Sequence, residues 1–192
     1  MFPSFEDSEH GWFALVWYVP DPIGSAIGNL ARELPSANRP KPHITLLPPR
    51  PLRRSFEEIS TQVRSILEQI VGFDIDLANV CRFDGTNVLY LDVAEGNEML
   101  HRLHDLLNQG DLAFSEPFEF RPHLTLTDPL PESEVRTVQA RAEALWNALL
   151  GARRFRIDEI VFLYLAPGNA ERQWQRSWSV ALRRSSPAQM GT

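Results

Sequence analysis

At 192 residues, 43% hydrophobic and 23% charged, the chain has the make-up of one globular domain, or of two small lobes sharing a core. Its net charge of −6 excludes a protein that coats long duplex DNA by charge alone, which needs a basic face, while leaving room for a nucleotide or an RNA end in a local basic pocket. A lone cysteine, Cys81, excludes an internal disulfide, no apolar run approaches a membrane span, and the acids in MFPSFEDSEHGW are unlike a signal peptide, so the expectation is a cytoplasmic chain with no membrane partner.

Residues 1–11 read as a loose start and 12–20, WFALVWYVP, as a buried strand rich in aromatic and β-branched residues. A helix is expected over 21–34, opened by Asp-Pro and stopped before Pro35. HITLL, from His43, reads as a strand closed by Pro48-Pro49. A strong helix follows from Ser55 to about Val71: Ser55 and Glu58 form a capping-box pattern, and Phe56, Ile59, Val63, Ile66, Leu67 and Ile70 fall on one helical face. Residues 73–83 alternate as a strand, Asp84-Gly85 marks a turn, and 87–93 returns as its hairpin partner.

Residues 96–109 predict a helix with Met99, Leu100, Leu103, Leu106 and Leu107 inward and with His101 and His104 on the surface. PHLTL at 122–126 is a strand, and 132–150 a second strong helix with Val135, Val138, Ala142, Leu145, Trp146 and Leu149 on its core face. Residues 155–167 read as one strand and 174–182 as the last, with 183–192 a frayed tail.

KPHITL at Lys41 returns as RPHLTL at Arg121, 80 residues later. The two strong helices match at an offset of 79, and FDID at Phe73 matches FRID at Phe155. Each half reads strand–helix–strand–helix–strand, so a duplicated βαβαβ unit is expected, with two pseudo-symmetric lobes at about 12–83 and 87–182 inside a single domain. On a strand, residues two apart share a face. His43 and Thr45 therefore face one side while Ile44 and Leu46 face the other, and the same holds for His123 and Thr125 against Leu124 and Leu126. If the halves are symmetric about one cleft, two imidazoles and two hydroxyls meet there. Imidazole titrates near neutrality, so one His can take a proton while the other gives one, as in-line displacement at phosphorus needs. The hydroxyls can hydrogen-bond the non-bridging oxygens.

Two Pro-His-x-Thr-Leu strands at this spacing resemble the 2H phosphoesterase superfamily, in its branch of 2′–5′ RNA ligase-like proteins and cyclic nucleotide phosphodiesterases, over roughly residues 12–182. The resemblance implies a bilobal α+β fold, two antiparallel sheets around a central cleft with helices outside. It implies chemistry without metal or cofactor on 2′,3′-cyclic phosphates of nucleotides or RNA ends, with His43 and His123 catalytic and Thr45 and Thr125 binding phosphate. Lys41, Arg50 and Arg121 are candidates for substrate charge, and Tyr164 for stacking on a base. Asp128, which follows the second motif, would repel phosphate if it faced the cleft. The alternatives are a 2′–5′ RNA ligase or RNA-end processing enzyme, and a non-catalytic module that binds RNA ends.

Overall fold

The computed structural model describes residues 8–149, 151, 153–168 and 173–184. In chain order it runs β1 (Trp12–Tyr18), α1 (Ile23–Arg32), β2 (His43–Pro51), α2 (Phe56–Leu67), β3 (Phe73–Arg82), β4 (Leu89–Val93), α3 (Asn97–Leu107), a 3₁₀ turn (Gly110–Leu112), β5 (His123–Thr125), α4 (Glu132–Ala148), β6 (Arg154–Ile157), β7 (Glu159–Leu165) and β8 (Gln175–Ala181). The strands form two four-stranded antiparallel sheets, β2-β1-β7-β8 and β5-β4-β3-β6. This is the expected α+β architecture.

Local chemistry explains the elements. β1 is apolar at every other position and between, because it is central in its sheet and buried on both faces. Ser55 caps α2 as the sequence pattern requires: its hydroxyl accepts from the Glu58 N–H, and the Glu58 carboxylate accepts from the Ser55 N–H. The helix stops at Leu67, a turn short of Val71, and Ile59, Val63 and Leu67 are its fully buried apolar residues. α3 begins after Gly96, whose φ of 81° is open to glycine and whose missing Cβ would stand 2.5 Å from the Asp74 carbonyl oxygen.

Six expectations change. The strand from His43 does not close at Pro48-Pro49 but runs to Pro51. Proline cannot donate to a ladder; β2 is the edge strand of its sheet, and its register against β1 shifts between Leu15 and Phe13, where the prolines fall. On α3, Met99 and Leu106 are exposed, while His104 is buried beside Leu100, Leu103 and Leu107. Residues 155–167 are two strands rather than one. β6 pairs with β3, and at Asp158 the chain crosses to the other sheet, where β7 pairs with β1. FDID and FRID are therefore not equivalent positions of a repeat but partners, Phe73 opposite Ile157 and Asp74 opposite Arg156, with Asp74 ion-paired to both Arg154 and Arg156. Residues 185–192 of the expected tail lie outside the described residues, but Arg183 is tied down, its N–H donating to the Ile70 carbonyl.

The lobes, finally, are not continuous in sequence. One sheet takes its strands from 12–51 and 159–181, the other from 73–157, instead of dividing at 83–87. Each βαβαβ unit (β1-α1-β2-α2-β3 and β4-α3-β5-α4-β7) lends its last strand to the other unit's sheet. Antiparallel pairing of β3 with β4 through a short hairpin makes the first exchange local, and β7 beside β1 completes the second. One continuous apolar core results, from Phe13 and Ile44 through Leu91 and Leu124 to Trp146 and Phe162. β2 and β5, the edge strands carrying the two motifs, lie against one another.

Candidate active site

His43 stands at the first residue of β2, opposite Tyr18 of β1; His123 stands at the first residue of β5, opposite Asp92 of β4. Alternation then does what the pattern predicts. Ile44, Leu46, Leu124 and Leu126 are buried, while His43, Thr45 and His123 are half-buried and Thr125 is exposed.

The two rings are held alike. His43 Nδ1–H donates to the Lys41 carbonyl at 2.8 Å, and His123 Nδ1–H to the Arg121 carbonyl at 2.6 Å. A carbonyl can only accept, so each Nδ1 must carry hydrogen and each Nε2 is left with the exchangeable site. Among the described residues neither Nε2 has a hydrogen-bond partner. The prolines at 42 and 122 hold the preceding residue extended, which presents its carbonyl to the ring two residues on. Burial pushes both imidazole pKa values below 6.5, and the His123 value is lowered further by the charge of His43, so the two rings feel one another.

Aromatic rings brace both. Tyr18 meets His43 edge-on with centroids 5.8 Å apart; Phe83 and Tyr90 meet His123 at 4.8 and 5.4 Å, and stack on each other at 4.1 Å. The cations of the two motifs sit on these rings. Lys41 Nζ lies 5.2 Å from the Tyr18 centroid, and the Arg121 guanidinium lies 5.9 Å from that of Phe83 while donating to the Tyr90 hydroxyl at 3.0 Å. Phe83 and Tyr90 were not candidates by sequence, which marks aromatic residues but not the fold that lays these two, with Tyr18, against the motif histidines.

Two candidates lie elsewhere. Arg50 is 1% exposed. Its guanidinium is ion-paired to Glu116 and donates to Asn108 Oδ1 at 2.7 Å and to the Leu112 carbonyl at 3.1 Å. It is a fastener for the segment that leads into β5, and its burial there keeps it from substrate. Tyr164 lies opposite Phe13, five residues along β1 from the Tyr18 that faces His43, or roughly 16 Å at strand rise. Its hydroxyl donates to the His10 carbonyl and its ring packs on Phe56.

Asp128 is not aimed at a phosphate. Its carboxylate accepts from the backbone N–H groups of Ala37 and Asn38 at 2.8 and 3.0 Å, from the Asn38 amide and from the Ser36 hydroxyl. The Asn38 backbone bond, with the other three donors, holds its pKa below the usual carboxylate range. It clasps the loop that delivers Lys41 and His43. Among the described residues no three His, Cys, Asp or Glu side chains converge as a metal site would require, and no helix is long and apolar enough to cross a membrane.

The family model described as the 2′-5′ RNA ligase superfamily matches residues 19–169. The chain belongs to the 2′–5′ RNA ligase superfamily. A protein of Geobacillus sp. (strain WCH70), provisionally named a phosphoesterase, is 33% identical over 105 residues, which are 50% of this chain and 60% of that protein. The chain thus matches about three-fifths of the length of that relative. Among solved structures, Escherichia coli LigT complexed with 3′-AMP superposes over 91% of this chain and 99% of its own with a TM-score of 0.59 at 16% identity. Kluyveromyces marxianus Usb1 covers 91% and 98%, with a TM-score of 0.57 at 12% identity. At such identities the likeness is one of fold. It establishes that this superfamily member has the LigT-like arrangement of two four-stranded sheets.

Proposed function

We propose that this superfamily member is a metal-independent phosphodiesterase that opens 2′,3′-cyclic phosphates of nucleotides or RNA ends, with His43 and His123 as its acid–base pair. The observation that carries the reading is the matched pair of imidazoles, each pinned through Nδ1 to a backbone carbonyl with Nε2 unengaged. One neutral Nε2 takes a proton from the attacking water as its oxygen bonds to phosphorus. The other, protonated, gives its proton to the 2′ or 3′ oxygen as that P–O bond breaks. Both proton transfers are thereby supplied by side chains, and the step needs no metal. Thr45 and Thr125, each two residues along from its His and with a hydroxyl that has no hydrogen-bond partner among the described residues, are the donors for the non-bridging oxygens as charge builds there. Lys41 and Arg121 contribute positive charge at the rim.

That E. coli LigT was crystallised with 3′-AMP and with NADP+ supports a nucleotide as ligand. The family description favours one second reading, ligation, in which a 5′-hydroxyl of another strand replaces water as nucleophile and the same two proton transfers operate. A panel of 2′,3′-cyclic mononucleotides, 2′–5′ oligomers and tRNA halves separates them. Ring opening of cyclic mononucleotides to one monophosphate is expected. Joining of RNA halves without such hydrolysis would assign ligation, and binding without turnover of any member would make the chain a binding module.

A further inference from the structure

A cavity of about 390 Å³ opens beside the motif strands, between α1, the loop 36–42 and the exit of β5. His43 and Thr125 form part of its wall, so it is continuous with the candidate site, while His123 does not border it. Its size is that of a small-ligand site.

Its charge is out of keeping with the chain. In a protein of net charge −6, this one wall carries three cations, Arg32, Arg39 and Lys41, and among the described residues none of them has a carboxylate within ion-pairing distance. The two acids of the wall are already engaged by hydrogen bonds. Asp128 is bound by the 36–38 loop, and Asp21 accepts from the Ser25 N–H at 2.9 Å and hydroxyl at 2.6 Å. The balance on the wall is one net positive charge. No Phe, Tyr or Trp side chain borders the cavity, and these rings gather instead around His123 and beneath Lys41.

We propose that this cavity is a second phosphate subsite, which receives the 5′-phosphoryl group of a nucleotide whose 2′,3′-cyclic phosphate lies between His43 and His123. The inference rests on the cyclic-phosphate reading above. A nucleoside cyclic phosphate has no other anionic group to offer a basic wall on the His43 side, and a wall without Phe, Tyr or Trp lacks the broad ring faces on which bases stack. The substrate class then narrows from cyclic mononucleotides to those bearing a 5′-phosphoryl group, either a free 5′-phosphate or the phosphodiester of an RNA end.

The test uses binding as well as turnover. Calorimetry of the whole chain compares adenosine 3′-monophosphate with adenosine 3′,5′-bisphosphate. The bisphosphate should bind about tenfold tighter, the worth of one charge-assisted contact. The Arg32→Gln/Arg39→Gln double variant should bring that ratio close to one, and the Arg32→Lys/Arg39→Lys variant, which keeps the charge should Arg39 be needed to cap the Ala31 carbonyl, should retain most of it. In kinetics, 2′,3′-cyclic AMP with and without a 5′-phosphate, and the dinucleotide ApA ending in the cyclic phosphate, should follow the same order, with the dinucleotide leading if the natural ligand is an RNA end. Equal binding of the two adenosine phosphates, or a preference untouched by removing both charges, overturns the subsite. If the preference holds but no cyclic substrate is opened, the subsite stands and the hydrolase reading falls. If cyclic AMP is opened with no preference for a 5′-phosphate, the reverse is true.

Discussion

At the scale of single residues, the decisive detail is a tautomer. A histidine with Nδ1–H on a carbonyl has one available nitrogen, and here two such nitrogens are supplied by one repeated phrase. Reaction needs one ring neutral and one protonated, so kcat/KM should be bell-shaped in pH, and its two limbs belong to the pair rather than to either ring. Because burial lowers both imidazoles below 6.5, the protonated member is lost early: in the free enzyme the alkaline limb should lie below pH 6.5. A limb well above pH 7 in kcat/KM would contradict this. The same shifts bear on stability with a definite sign. A His with a folded pKa below its unfolded value binds fewer protons when folded, so stability rises with pH from the folded value up to about 6.5 and is flat above. Denaturant melts of a His43→Asn/His123→Asn variant should therefore lose part of the slope that the parent chain shows below pH 6.5.

At the scale of elements, the motif strands depend on fasteners that sit away from them. Arg50, buried under the segment that runs from α3 to β5, is ion-paired to Glu116, and Glu116 also accepts from the buried His104, which stacks on Phe120 at 4.0 Å. Glu116→Ala would leave a guanidinium buried without its counter-charge, and should destabilise the chain by about 3–5 kcal/mol in denaturant melts. A loss under about 1 kcal/mol would mean that Arg50 finds water instead. The α2 cap is worth less: Ser55→Ala should cost about 1 kcal/mol. Only the cap could be read from the chain beforehand. The capping box and the core faces of α2 and α4 were legible because they are local patterns. Arg50 was mistaken for a substrate contact because a basic residue seven positions after the motif His says nothing about an acid 66 residues further on. His104 was mistaken for a surface residue because its burial depends on Phe120 and Glu116, which fold back over α3.

At the scale of the whole molecule, the duplication was legible and its wiring was not. Repeated phrases and helix spacings revealed two similar units, but RIDEIVF has no glycine or proline to announce the crossing at Asp158, and a crossing there is what trades strands between sheets. The trade matters for function. Each sheet contains a strand of the other unit, and the two motif strands become facing edges of sheets locked together by one core, which fixes the two imidazoles relative to one another. Two imperfectly equal halves then differ in surroundings, with rings around His123 and unpaired cations beside His43. The most direct measurement of the central claim is turnover of a 2′,3′-cyclic nucleotide by the parent chain and by His43→Ala and His123→Ala, each with and without a chelator. Either substitution alone should lower kcat by about 10²–10⁴-fold, with the fold intact by circular dichroism and no effect of chelator. Full activity in either variant, or activity lost to the chelator and restored by added metal, would contradict the account.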